Sequence, residues 1–160
     1  MLARGAGYGR LVTSELPPPR RVEPPSGTAP PAAAPSPVAG GPDLDLVELA
    51  AAVCERYYAE FPDEDAVYGE VGRLWCQHDN QHLLNWAALD AAGHVTLDEQ
   101  VAWLARVLEA RQFPLLRLAR SLELGGEVVR GRLGAGGEPM AAALDGAAAM
   151  IRERGTFLEG

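Results

Sequence analysis

The chain has 160 residues, of which 48% are hydrophobic and 22% charged, and its formal net charge is −8. Such an acidic chain, with no basic patch, excludes nucleic-acid binding through phosphate contacts and docking on an anionic membrane surface. No run of about 18 apolar residues exists, so no segment reads as a bilayer span.

The first 42 residues differ from the rest. Ten of the 13 prolines lie between Pro17 and Pro42, and large apolar residues are nearly absent there. Such a segment cannot offset the entropy of ordering. Residues 1–42 therefore read as a disordered, partly polyproline-II leader, and residues 43–160 as one domain. The start, MLARGAGYGRLV, lacks the apolar stretch of a secretory signal, which makes a cytoplasmic location the default. Cys54 and Cys76 are then expected as free thiols, although two helices could also bring them together as a disulfide.

Within the domain the charge is uneven. Residues 43–99 carry 13 acids against Arg56 and Arg73, whereas residues 100–160 carry 7 acids and 8 arginines. That asymmetry suits head-to-tail or antiparallel self-association.

Apolar residues recur at helical spacing along the whole domain. A first helix is expected from Asp43, with Leu46, Leu49, Ala50, Val53 and Tyr57 inward, ending at Phe61-Pro62. Asp63, Glu64 and Asp65 start a long central helix. Gly69 and Gly72 in its early turns mark either fraying or the close approach of another backbone. Gly93 closes it. Thr96 and Glu99 form a capping box for a third helix. That helix has Val101, Leu104, Ala105 and Leu108 inward, and Trp103 with Val107 on a second apolar face, as if covered on two sides. Pro114 starts a fourth helix, which Gly125-Gly126 weaken or bend. GRLGAGG, residues 131–137, reads as a flexible connection. No strand precedes it and no Gly-Lys-Ser/Thr follows, so it is not a phosphate loop. Pro139 starts an alanine-rich fifth helix. No strand of alternating type stands out, and the class is all-α with about five helices.

The central helix carries the reactive side chains. At 100° per residue, Tyr68, Val71, Trp75, His82, Trp86 and Leu89 share one stripe, expected to face the core. Cys76 and Leu83 form a smaller apolar edge, and His78 and Asp79 flank the main stripe. His78 and His82 are spaced i, i+4, as in a metal site, but glutamate does not follow the first histidine and no third ligand is evident. Cys76 and His78 point in divergent directions, which argues against a thiol nucleophile. Asp79 and His82, at i, i+3, can touch. Their contact either settles a histidine by a local hydrogen bond or lines a pocket, and Asp79 would favour charged His82.

Cys76-x-x-Asp79 followed by His82-Leu83 resembles the bilin-attachment helix of phycobiliproteins. Gly93–Glu99 resembles the turn into that family's next helix, and Arg111-Gln112-Phe113-Pro114 its following junction. The segment Tyr68–Val129 is also similar to globin-like helical modules that accompany bacterial regulatory or cobalamin-binding domains. Tyr68-Gly69-Glu70, Gly72-Arg73 and Trp103-Leu104 take part in that likeness. The resemblance implies a globin-like fold, with Cys76 anchoring a linear tetrapyrrole and Asp79 binding its pyrrole nitrogens. The chain departs from the pattern near Cys76, where only Arg73 is available to pair propionates. The proline-rich leader also replaces the paired N-terminal helices of phycobiliprotein assembly, so light harvesting is not expected.

Taken together, the residues suggest a non-catalytic helical regulatory or protein-interaction module, with a protein partner or self-association and no resident cofactor. The alternative is a sensor holding a bilin, another tetrapyrrole or another flat apolar ligand in a pocket formed by Trp75, Cys76, Asp79, His82 and Trp86. The third reading is a metal-dependent enzyme using His78 and His82.

Overall fold

The computed structural model describes residues 20–159. Five α-helices make up most of it: α1 (Leu46–Glu60), α2 (Asp63–Ala91), α3 (Leu97–Ala110), α4 (Leu115–Leu133) and α5 (Glu138–Arg154). The all-α class follows from the helical spacing of the apolar residues. The only strands among the described residues are β1 (Ala33–Ala34) and β2 (Leu44–Asp45), paired antiparallel. Among the described residues, no helix is long and apolar enough to cross a membrane.

The core is built on α4 and α5, which pack together most extensively. Leu122, Val128 and Val129 of α4 are buried with Met140, Leu144, Ala147 and Ile151 of α5. Each fully buried large aliphatic side chain contributes about 1.5–3 kcal/mol relative to exposure. Gly125 and Gly126 do not break α4. A Cβ on Gly125 would touch Leu144 at 3.5 Å, and one on Gly126 would lie 3.4 Å from the Ala141 carbonyl. Gly126 lets the alanine-rich α5 come close, since a Cβ there would also lie 2.9 Å from an Asp145 carboxylate oxygen, whereas the contact at Gly125 is an ordinary one. Helix α1 lies against α2 and α4, and α3 adds Leu97, Val101 and Ala105 to the core.

Several local expectations change. Helix α1 begins at Leu46, not Asp43, because Leu44 and Asp45 pair with β1. The Asp45 carboxylate instead caps the helix, accepting from the Glu48 N–H at 3.1 Å. Helix α2 bends at Gly69, whose φ of 59° and ψ of −155° are open to glycine and strained for other residues. At Gly72 no other backbone comes near; side chains do, since a Cβ there would collide with Tyr68 and approach the Tyr58 hydroxyl at 3.3 Å. Gly93, at φ 81°, ends α2 as expected. The capping box does not form. The N–H of Leu97 donates to the Asp90 carboxylate at 2.7 Å, and the Thr96 side chain makes no cap bond. A charged acceptor from the preceding helix takes the place of the hydroxyl.

Residues 134–137 form a turn of 3-10 helix with Gly137 buried against Leu133 and Val129, a packed corner in place of a flexible connection. Trp103 is 59% exposed, so α3 is not covered on its second face. The C-terminal tail packs against α3 with no periodic apolar pattern to announce it. Phe157 is buried and the Glu109 carboxylate accepts from its N–H and from the Thr156 hydroxyl, each at 2.7 Å. The Arg154 guanidinium lies 4.3 Å from the Phe157 ring centroid.

The leader expectation is corrected for residues 20–42; residues 1–19 lie outside the described residues. From Arg20 to Ala34 the chain runs along α2. The Arg20 N–H donates to the Val67 carbonyl at 2.7 Å. Trp75 Nε1–H donates to the Glu23 carbonyl at 2.6 Å, and Gln81 Nε2 to the Pro31 carbonyl at 3.1 Å. The Leu46 N–H then reaches the Ala32 carbonyl at 2.9 Å. Proline removes donors but leaves carbonyls. An extended proline-rich strand thus offers a row of free acceptors. Side-chain donors on α2 satisfy two of them, and this supplies the anchoring that its small side chains do not.

Candidate functional site

The faces of α2 are the reverse of the expectation. Its buried face is Asn80, Leu83, Leu84, Ala87 and Ala88, a continuation of the smaller edge at Cys76 and Leu83. The stripe expected in the core, Tyr68, Val71, Trp75, His82, Trp86 and Leu89, is half-buried throughout. Slim side chains on the inner face let neighbouring helices approach, and the wide indoles are left at the rim. There they form a ladder with the histidines at successive helical turns. Centroid separations are 5.2 Å for Trp75–His78, 4.8 Å for His78–His82 and 5.6 Å for His82–Trp86.

Asp79 does not pair with His82. Its carboxylate lies 3.1 Å from Nδ1 of the adjacent His78. Burial holds the His82 pKa below its ordinary value, His78 adds to this, and Asp79 opposes it without prevailing. Neutral His82 is therefore favoured, contrary to the expectation. The two imidazoles meet edge on, and among the described residues no three His, Cys, Asp or Glu side chains gather to hold a metal ion.

Cys76 faces α1. The Asn80 side-chain nitrogen lies 3.5 Å from its sulfur and 3.8 Å from that of Cys54, and donates to the Cys76 carbonyl at 2.9 Å. Both thiols are free. The hydrogen bond with Cys54, followed by burial, pushes the Cys76 thiol far above its usual range. A thiol kept protonated in this way is a poor nucleophile.

A cavity of about 800 Å³ opens beside this helix. Tyr57 and Tyr58 wall it from α1; Tyr68, Trp75, Cys76, Asp79 and Leu83 from α2; Leu104 and Leu108 from α3; and Phe113, Leu118 and Ser121 from the start of α4 and the corner before it. Gly72 adds width because it has no side chain. The segment from Arg20 to Ser26 forms the roof. Of the expected pocket residues, Trp75, Cys76 and Asp79 line the cavity. His82 and Trp86 do not; they continue the ladder farther along α2.

A buried ionic cluster braces one wall. Glu64 is 3% exposed and accepts from the Tyr57 hydroxyl at 2.8 Å and from Arg117 at 2.7 Å. Arg117 also binds Asp63 at 2.9 Å, and its guanidinium lies 4.5 Å from the Phe61 ring centroid. Burial first, and then the Glu64 charge, raise the Tyr57 pKa well beyond the usual phenol range, so the hydroxyl remains a donor. At the far corner Gln112 takes a left-handed conformation, φ 63°, which turns the chain sharply between Arg111 and Phe113. Sequence reasoning missed this cluster, because Glu64 reads as an ordinary acid in the first turn of a helix. Its only available signal was the tyrosine one helix earlier, and no periodicity rule pairs residues across such a junction.

The chain matches no protein-family model, no curated protein and no solved structure.

Proposed function

We propose that the chain is a non-enzymatic helical sensor module that binds a flat apolar molecule in the cavity between α1, α2, α3 and α4. One observation carries the reading: an aromatic-walled space of about 800 Å³, within the size range of small-molecule sites. Aromatic walls suit a planar ligand, and Asp79, Asn80 and Ser121 add a few polar groups to orient it. The phycobiliprotein-like motif and a globin-like arrangement belong to this proposal, with Asp79 available to accept from pyrrole N–H groups. The protonated Cys76 thiol favours non-covalent binding over attachment.

Titration of the purified protein with biliverdin, haemin and the neutral fluorophore 1-pyrenebutanol tests it. The expected result is a saturable spectral shift with at least one of them, weakened in Leu108→Trp, which places an indole in the cavity. If all three leave the spectra of the wild-type protein unchanged, the reading fails.

The exposed Trp103 indole favours a second reading, a protein-interaction surface on α3. Light scattering across a concentration series, with Trp103→Ser as the variant, checks self-association. A monomer at every concentration removes the self-association form of that reading.

A further inference from the structure

Seven of the 12 arginines among the described residues have carboxylate partners. Arg56 pairs with Glu127, Arg73 with Asp65, Arg117 with Asp63 and Glu64, and Arg120 with Glu60. Arg130 pairs with Glu138 and Asp145, Arg132 with Glu48, and Arg152 with Glu123. Arg106 and Arg154 are engaged by Phe157, through its carbonyl and its ring. Of the arginines among the described residues, Arg20, Arg21 and Arg111 remain. Among the described residues, no carboxylate pairs with any of them, although acids outnumber bases by 22 to 14 in the chain.

All three line the cavity. Arg20 and Arg21 come from the roof and Arg111 from the corner between α3 and α4. Arg20 ties these parts together, donating to the Arg111 carbonyl at 2.9 Å and lying 5.9 Å from the Tyr68 ring centroid. Among the described residues, the acids around the cavity form no ion pair with them. Glu64 is bound by Tyr57 and Arg117, Asp79 faces His78, and the Glu23 side chain pairs with no arginine among the described residues. An aromatic chamber therefore carries three guanidinium groups with no carboxylate partner among the described residues, one of them tied to a carbonyl, within a domain that is otherwise acidic.

We infer that the ligand is an amphipathic anion, a flat apolar body bearing a carboxylate, with the body among Tyr57, Tyr68, Trp75 and Phe113 and the carboxylate at Arg20, Arg21 and Arg111. The inference rests on the cavity being a binding site and adds the chemical class of its occupant. Guanidinium groups match a carboxylate with paired N–H donors, and the three arginines stand exposed at the cavity mouth, where an incoming anion meets them first. The placement also gives the proline-rich segment a role: it carries two of the three charges and is held over the cavity by Trp75, so a bound carboxylate would fasten the roof.

The test is a matched pair of fluorophores, 1-pyrenebutyric acid and 1-pyrenebutanol, which share the same body and differ in the anionic group. Affinities are measured by fluorescence titration of the full chain. The acid is expected to bind about tenfold more tightly than the alcohol, a ratio that falls toward one in Arg21→Gln/Arg111→Gln and at high salt. Arg152→Gln, far from the cavity and paired with Glu123, should leave the ratio unchanged. Equal affinities, or a tighter alcohol, in the wild-type protein overturn the anion inference and leave the cavity reading intact. Binding of neither overturns both. Because the wild-type ratio alone decides, a variant that fails to fold does not rescue the inference.

Discussion

The Tyr57–Glu64–Arg117 cluster can be taken apart by a double-mutant cycle. Tyr57→Phe removes one hydroxyl donated to a buried carboxylate, and a hydrogen bond to a charged group contributes about 1.5–3 kcal/mol. Arg117 stays bound to Glu64, so the lower end of that range is expected. Glu64→Gln leaves Arg117 with Asp63 alone. Breaking a buried ion pair costs about 3–5 kcal/mol, but the remaining partner and the 25% exposure of Arg117 reduce the expected loss to about 2–3 kcal/mol. Because Glu64→Gln turns the charged acceptor of the Tyr57 hydroxyl into a weaker neutral one, the double variant should lose about 1 kcal/mol less than the sum. Urea denaturation followed by circular dichroism reads all four stabilities, with slopes that should not change. Losses that add to within about 0.5 kcal/mol would refute a shared buried hydrogen bond between Tyr57 and Glu64.

Other outcomes follow from the same geometry. Gly125→Ala should stabilise by up to about 1 kcal/mol through helix propensity, since its Cβ would meet only ordinary contacts from 3.5 Å outward. Gly137→Ala should cost about 1–3 kcal/mol through overpacking, because its Cβ would lie 2.9 Å from a Val129 methyl; thermal melts of the pair giving the opposite order would contradict the packing. The Glu109 carboxylate is held below its ordinary value of 4.5 by the Phe157 N–H and the Thr156 hydroxyl. Its contribution is therefore present above that pH and lost as pH falls through the lowered folded value. Hydrogen-exchange protection at Phe157 should decline over that window in the wild-type protein and show no such step in Glu109→Gln. His82, held below 6.5, likewise favours the fold above that pH and loses its contribution as pH falls through its folded value. Quenching of Trp86 emission by the imidazolium should have a midpoint below 6.5 and vanish in His82→Asn; a midpoint above 6.5 would contradict the effect of burial.

The helices were legible because their signals are local. Leu46, Leu49, Val53 and Tyr57 repeat at helical spacing, Gly93 stops α2, and Pro114 and Pro139 sit where two further helices begin. Which face of α2 turns inward was not legible. Two indoles and two imidazoles outweigh Leu83, Leu84 and Ala87 in hydrophobic bulk, yet helix packing rewards slim contacts, and that depends on what α4 and α5 bring. The roof was missed for a related reason. Composition alone left residues 20–34 without apolar anchors, whereas the strand is held through its carbonyls by Trp75 and Gln81, some 50 residues away. The cavity had a partial signal in Trp75, Cys76 and Asp79. Its other walls, from Tyr57 to Ser121, come from three more helices whose convergence no spacing on α2 announces.

Trp75 lines the cavity and donates its indole N–H to the roof, while Trp103 stands in solvent on α3. The three indole N–H resonances, assigned with Trp→Phe variants, can be followed by NMR while 1-pyrenebutyric acid is added. A functional cavity predicts that the Trp75 signal moves with saturation and the Trp103 signal stays in place. Three unmoved signals, or a shift confined to Trp103, would contradict a ligand site beneath the proline-rich roof.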